Sequence, residues 1–93
     1  MIIDNEHFSS NNKSAEHLWL KKNALRLRNL GVPFDILDDE HRWYIFLTHG
    51  EDYLGFPFSI SDSEALEMLN LLREFYDEDT HLLVDLKRQL GML

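Results

Sequence analysis

The 93-residue chain contains no cysteine, so it cannot form a disulfide or a thiolate-ligated metal site. Its longest uninterrupted apolar run is WYIFL, residues 43–47, which is far too short to cross a bilayer. Its first residues include Asp4 and Glu6 and lack the apolar stretch of a secretory signal. We therefore expect a cytoplasmic protein that has no membrane partner.

Basic side chains are scarce, since nine face 17 acidic ones and the net charge is -8. Residues 1–30 carry five basic and three acidic side chains, whereas residues 31–93 carry four basic and 14 acidic ones. Such a charge distribution repels phosphate polymers over most of the surface and favours a protein partner with a basic surface. The alternative is that the charge only keeps a small protein soluble.

Motifs for catalysis or cofactor binding are also missing. The five histidines do not form a metal-binding HExxH or HxxxH pair, the four glycines are isolated, and no serine lies in a GxSxG motif. His49 and His81 have acidic neighbours that could attract a cation weakly, but turns and helix caps are rich in acids for backbone reasons. We predict that the protein is not an enzyme and holds no cofactor or metal.

The N-terminal third of the chain is predicted to form an arm followed by one helix. Residues 1–13 contain the polar stretch SSNN and are expected to be a flexible N-terminal arm. A helix should begin at Ser14 and end at Leu30, because Gly31 favours a left-handed stop there. Leu18 and Leu25 lie nearly opposite the apolar stripe of this helix, among basic residues. We expect this helix to be covered on more than one side.

Apolar and polar residues alternate between Pro33 and Ile60, which favours strands near 34–38, 42–48 and 53–59. The short polar connections between them predict a three-stranded antiparallel meander. Its stronger face would contain Trp43, Ile45 and Leu47, and its weaker face Tyr44, Phe46 and Tyr53. Pro57 would place the third strand at an edge of the sheet.

Two further helices are predicted after the meander. Ser61 and Glu64 have the spacing of a capping box that opens a helix running to about Tyr76. A last helix should cover about 80–90 and end at Gly91. The predicted fold is therefore α+β, with the order α-β-β-β-α-α in one small domain over residues 14–93.

The weaker sheet face is the preferred candidate site. Tyr44, Phe46 and Tyr53 would form an aromatic centre, since such residues anchor protein interfaces. Acidic side chains of the two turns would surround it and steer a basic partner: Asp38, Asp39, Glu40, Glu51 and Asp52. We predict a non-enzymatic protein-binding module that inhibits or regulates by occlusion, as immunity proteins, antitoxins and phage-encoded inhibitors do. The alternative is that a helix covers these aromatic residues as ordinary core.

Other functions use the first helix or the apolar faces. The cations on the first helix would suit a small nucleic-acid-binding regulator, although they could equally balance acids within the fold: Lys21, Lys22, Arg26 and Arg28. The broad apolar stripes would also suit a homodimer or a structural subunit of a larger complex.

Overall fold

The computed structural model describes the backbone of residues 2–56 and 59–93 and the side chains of 15–56 and 59–93. Five α-helices occur in these ranges: α1 (Ile2–Asn29), α2 (Phe34–Leu37), α3 (Glu40–His49), α4 (Asp62–Leu72) and α5 (His81–Gln89). One 3-10 turn, Gly50–Asp52, follows α3 directly. The described part of the chain contains no strand, so the predicted α+β fold with its three-stranded meander is wrong.

Helix α3 replaces the predicted central strand. The side chain of Asp39 caps its N-terminus by accepting hydrogen bonds from the backbone N–H groups of His41 (2.9 Å) and Arg42 (3.3 Å). Trp43, Phe46 and Leu47 have helical spacing and are all buried. The run WYIFL satisfies both the strand and the helix period, and burial of this one side selects the helix.

The predictions of the two flanking strands are wrong for different reasons. Residues 34–37 form the single-turn helix α2, whose Ile36 is fully buried. Beyond the 3-10 turn, Leu54 (φ 55°) and Gly55 (φ 76°) have left-handed backbone conformations, which interrupt an extended strand. The predicted edge position of Pro57 lies outside the described residues.

The C-terminal helices confirm their sequence signals. Ser61 Oγ accepts from the Glu64 N–H at 3.2 Å, and Glu64 Oε1 accepts from the Ser61 N–H at 2.9 Å. Helix α4 ends at Leu72, four residues before the predicted end. Helix α5 ends at Gln89, and Gly91 (φ 71°) supplies the left-handed stop two residues later, beside which the Met92 N–H donates to the carbonyl of Lys87 at 2.8 Å.

Helix α1 reaches back to Ile2 rather than starting at Ser14. The flexibility of residues 1–13 stays a prediction, and their side chains lie outside the described part of the chain. From Ala15 onward, Leu20, Leu27 and Leu30 are buried, as their stripe predicted. Leu18 and Leu25 are exposed, so none of the described side chains provides the expected cover on that second side.

The core lies between α1, α3, α4 and α5, with Trp43 at its centre and fully buried. Its aromatic rings form a chain of contacts in which Trp19 stacks on Phe75 and meets Tyr76 edge-on, with centroids 5.7 and 5.3 Å apart. Such pairs stabilise a fold beyond the area that they bury. Trp43 and Phe46, which the predicted meander had placed on opposite faces, both belong to this core.

Candidate binding surface

The three predicted anchor residues do not share one surface. The Tyr44 side chain is 63% exposed, whereas Phe46 is fully buried. Tyr53 is partly buried and packs edge-on against Phe46, with their ring centroids 6.0 Å apart. Residues two positions apart point in the same direction in a strand but about 200° apart in an α-helix. Tyr44 is thus the one exposed residue of the predicted aromatic centre.

The predicted acidic rim is divided in the same way. Asp38, Asp39 and Glu40 are exposed at the start of α3, where Asp39 also lies 3.8 Å from Arg42. Glu51 and Asp52 belong to the 3-10 turn at the other end of α3. The acids therefore flank Tyr44 along the chain without forming the rim of a sheet face.

Asp85 is a buried structural residue that the sequence analysis missed. Its side chain is fully buried, and Oδ2 accepts the Glu51 N–H at 2.6 Å while Oδ1 accepts from Arg88 Nη1 at 2.9 Å. His81, one turn earlier, lies 2.7 Å from the carbonyl oxygen of Thr48 through Nδ1. These contacts fasten the end of α3 to α5. The signal in the sequence was an aspartate within the apolar run LLVDL.

Tyr76 joins three parts of the chain through its hydroxyl group. Tyr76 Oη accepts from Trp43 Nε1 at 2.8 Å and donates to Glu16 Oε2 at 2.8 Å. Burial raises the pKa of Tyr76 well above its usual value of 10.0. The hydroxyl therefore stays neutral and holds α1 and α3 together.

We call the exposed side of α1 the α1 outer face, defined by Leu18, Lys21, Lys22, Leu25 and Arg26. Leu18 and Leu25 are 67% and 68% exposed and lie seven residues, or two helical turns, apart. All three cations are exposed. No ion pair joins them to an acid within the described residues. The predicted internal charge balance is therefore not present in this part of the chain.

Arg28, the fourth cation of the predicted nucleic-acid site, lies toward α2. Its guanidinium carbon is 3.9 Å from the centroid of the Phe34 ring, a distance typical of a cation–π contact. Phe34 itself is 61% exposed. This contact separates Arg28 from the α1 outer face and places it beside a groove.

The groove lies between α1 and the segment that joins α2 to α3, and has a volume of about 470 Å³. Leu20, Ala24 and Leu37 form its apolar lining together with Phe34. Its polar lining contains a histidine and a lysine from α1 and two acids at the start of α3: His17, Lys21, Asp38 and Glu40. Residues from both predicted sites thus meet here, because Asp38 and Glu40 came from one and Lys21 from the other.

Comparison with protein-family models, curated proteins and solved structures finds no significant match to this chain. In the described ranges, no helix has the length and apolarity that a membrane span requires. No group of three histidine, cysteine or acidic side chains is arranged to hold a metal ion in the same ranges.

Proposed function

We propose that this protein is a non-enzymatic protein-binding module that docks a partner on the α1 outer face and acts by covering part of that partner. The observation that carries the proposal is the pair of leucines, each about two-thirds exposed, among three cations without an acid partner in the described residues. Full burial of a leucine side chain stabilises a complex by about 1.5–3 kcal/mol.

The partner that fits this face has an apolar ridge flanked by carboxylates. Lys21 and Lys22 lie between the two leucines in sequence, so a carboxylate on the partner would meet them close to the centre of the contact. The sequence-based expectation of a basic partner combined the acidic net charge with an anchor of Tyr44, Phe46 and Tyr53, and this anchor is not available as one surface because Phe46 is buried. We therefore assign the α1 outer face to an acidic partner.

Two other occupants fit this face less well. Nucleic acid would use Lys21, Lys22 and Arg26, but the exposed leucines between them offer a phosphate backbone nothing to bind. A symmetric antiparallel pairing of two α1 helices would bring the lysines of both copies together, and like charges at the centre of an interface disfavour it. A cytoplasmic location and an inhibitory or regulatory role remain part of the proposal.

The test is affinity capture from a nuclease-treated extract of the native cell. The wild-type protein is compared with Leu18→Ser/Leu25→Ser and with the control Leu66→Ser, whose leucine is 46% exposed on α4. We expect capture of a defined protein by the wild type and the control. The double variant should lose about 2 kcal/mol of binding free energy or more, which is about 30-fold in affinity.

Two results would contradict the proposal. Equal capture by the double variant would remove the α1 outer face from the contact. Capture that nuclease abolishes and Lys21→Glu/Lys22→Glu prevents would assign the face to nucleic acid. Because all these side chains are exposed, the variants should stay within about 0.5 kcal/mol of the wild type in free energy of unfolding.

A further inference from the structure

We propose that the groove between α1 and the start of α3 receives one large apolar side chain of a peptide segment, with a basic residue next to that side chain. This inference rests on the proposed protein-binding function and identifies a second contact for the same partner. Its evidence is independent, because the groove is defined by residues other than the two leucines of the α1 outer face.

The apolar part of the groove suits an anchor side chain. Leu20, Ala24 and Leu37 line it. Its volume of about 470 Å³ falls within the roughly 300–1,000 Å³ of ordinary ligand pockets. Anchors of protein interfaces are typically aromatic or large side chains inserted into such apolar depressions.

The charged lining of the groove is mixed, with Lys21 on α1 and two acids at the start of α3, and the acids favour a cation beside that anchor. Asp38 and Glu40 are exposed where α3 begins. Asp38 has no ion pair among the described residues, and Glu40 Oε1 lies 3.9 Å from Nδ1 of the His17 imidazole. A lysine or arginine next to the anchor would gain two carboxylate partners.

Phe34 provides an exposed aromatic wall. Its ring is 61% exposed, and the Arg28 guanidinium carbon lies 3.9 Å from the ring centroid on one side. A phenyl ring held in this way can bury further area against an incoming aromatic side chain. Lys21 both lines the groove and belongs to the α1 outer face, so one partner can reach both surfaces.

The experiment uses the full chain labelled with ¹⁵N and the capped dipeptide N-acetyl-Phe-Arg-amide as probe. We expect shifts of the backbone amides of Leu20, Ala24 and Leu37 that saturate at millimolar concentration. The probes N-acetyl-Ala-Arg-amide and N-acetyl-Phe-Gln-amide, which lack the anchor and the cation respectively, should each bind at least about threefold more weakly.

Two variants test the location of the probe. Ala24→Phe fills the groove and should abolish binding, whereas Ala15→Phe adds the same side chain to an exposed position of α1 and should leave it unchanged. Asp38→Asn should weaken the binding of N-acetyl-Phe-Arg-amide at least about threefold and leave the binding of N-acetyl-Phe-Gln-amide unaffected. Circular dichroism at 222 nm checks that each variant keeps the helical content of the wild type.

The inference is overturned if the alanine probe shifts the same amides equally, if Ala24→Phe binds as Ala15→Phe does, or if no amide responds at 20-fold excess over about 1 mM protein. Its failure is distinguishable from failure of the proposed function. If the groove is not used, Ala24→Phe still captures the partner that Leu18→Ser/Leu25→Ser loses. If the α1 outer face is not used, the probe still maps to the groove.

Discussion

Helices α3 and α4 have almost the same length, ten and 11 residues, but they are helical for different reasons. Helix α4 contains alanine, glutamate, methionine and leucine, which favour helices, and it opens with a complete capping box. Helix α3 contains tryptophan, tyrosine, isoleucine, phenylalanine and threonine, which favour strands. The difference teaches that α4 is specified locally, whereas α3 depends on tertiary contacts.

Three hydrogen bonds supply those tertiary contacts to α3 and its end. Trp43 Nε1 donates to Tyr76, the carbonyl of Thr48 meets His81, and the Glu51 N–H donates to Asp85. The partner residue in each of the three hydrogen bonds lies beyond α4 in the chain. Variants at these contacts should therefore cost more stability than variants at the local cap of α4.

The largest loss is expected from Gly50→Ala. Gly50 has φ 56° and ψ -128°, a conformation that side chains other than glycine resist, and an added Cβ would overlap Asp85 Oδ2. We expect the free energy of unfolding, measured in urea, to fall by about 3 kcal/mol or more. Gly91→Ala is the matched control, since it has φ 71° with no atom near the added Cβ, and it should cost about 1 kcal/mol. Equal losses would show that the contact with Asp85 is unimportant.

The next largest loss is expected from Asp85→Ala. It leaves the Glu51 N–H without its buried acceptor and should cost about 2–3 kcal/mol in thermal or urea unfolding. Asp85→Asn keeps an oxygen acceptor and should cost less than the alanine variant. A result in which both variants match the wild type would remove Asp85 from the forces that hold α3 against α5.

Tyr76→Phe should cost about 1–2 kcal/mol at pH 7, because the N–H of buried Trp43 loses its acceptor. Burial raises the pKa of Tyr76 in the folded state above its ordinary value of 10.0. Its stabilising contribution is therefore complete below pH 10 and is lost as the pH rises above 10. Urea unfolding at pH 7 and at pH 10.5 should show the gap between wild type and variant narrowing. A gap that widens with pH would contradict this assignment.

The smallest of these losses is expected from Ser61→Ala, which removes the N-cap of α4 and should cost about 1 kcal/mol. Asp39→Ala removes the corresponding cap of α3 and should cost a similar amount. Urea unfolding of both variants tests whether the two helices differ in their caps. A loss at Asp39 several times larger than at Ser61 would show that α3, too, is fixed by local contacts.

The sequence predicted the elements whose signals are local. The cap at Ser61, the stop at Gly91 and the buried stripe of Leu20, Leu27 and Leu30 all agree with the structure, whereas the cover expected over Leu18 and Leu25 does not. The strands failed because WYIFL fits both periods, and the choice depends on α5, more than 30 residues away. The left-handed conformation of Leu54 has no signal of its own in the sequence.

The candidate surfaces also differ in how far the sequence alone could predict them. The cations of the α1 outer face could be found from helical spacing alone, because one helix places them. The groove could not, since its lining combines α1 with α2 and the start of α3, and the sequence analysis had assigned α2 to a strand and the start of α3 to a turn. The predicted anchor of Tyr44, Phe46 and Tyr53 is wrong, because it required a sheet that would align these three side chains.

The fastening of α3 to α5 also implies an order of folding. The hydrogen bonds that hold α3 join residues 33 or 34 positions apart, and closing a loop of that length costs about 3 kcal/mol of chain entropy. The α4–α5 pair closes a much shorter loop and can form first. We therefore expect α3 to reach its native state late, so that Asp85→Asn accelerates unfolding while refolding keeps nearly the wild-type rate.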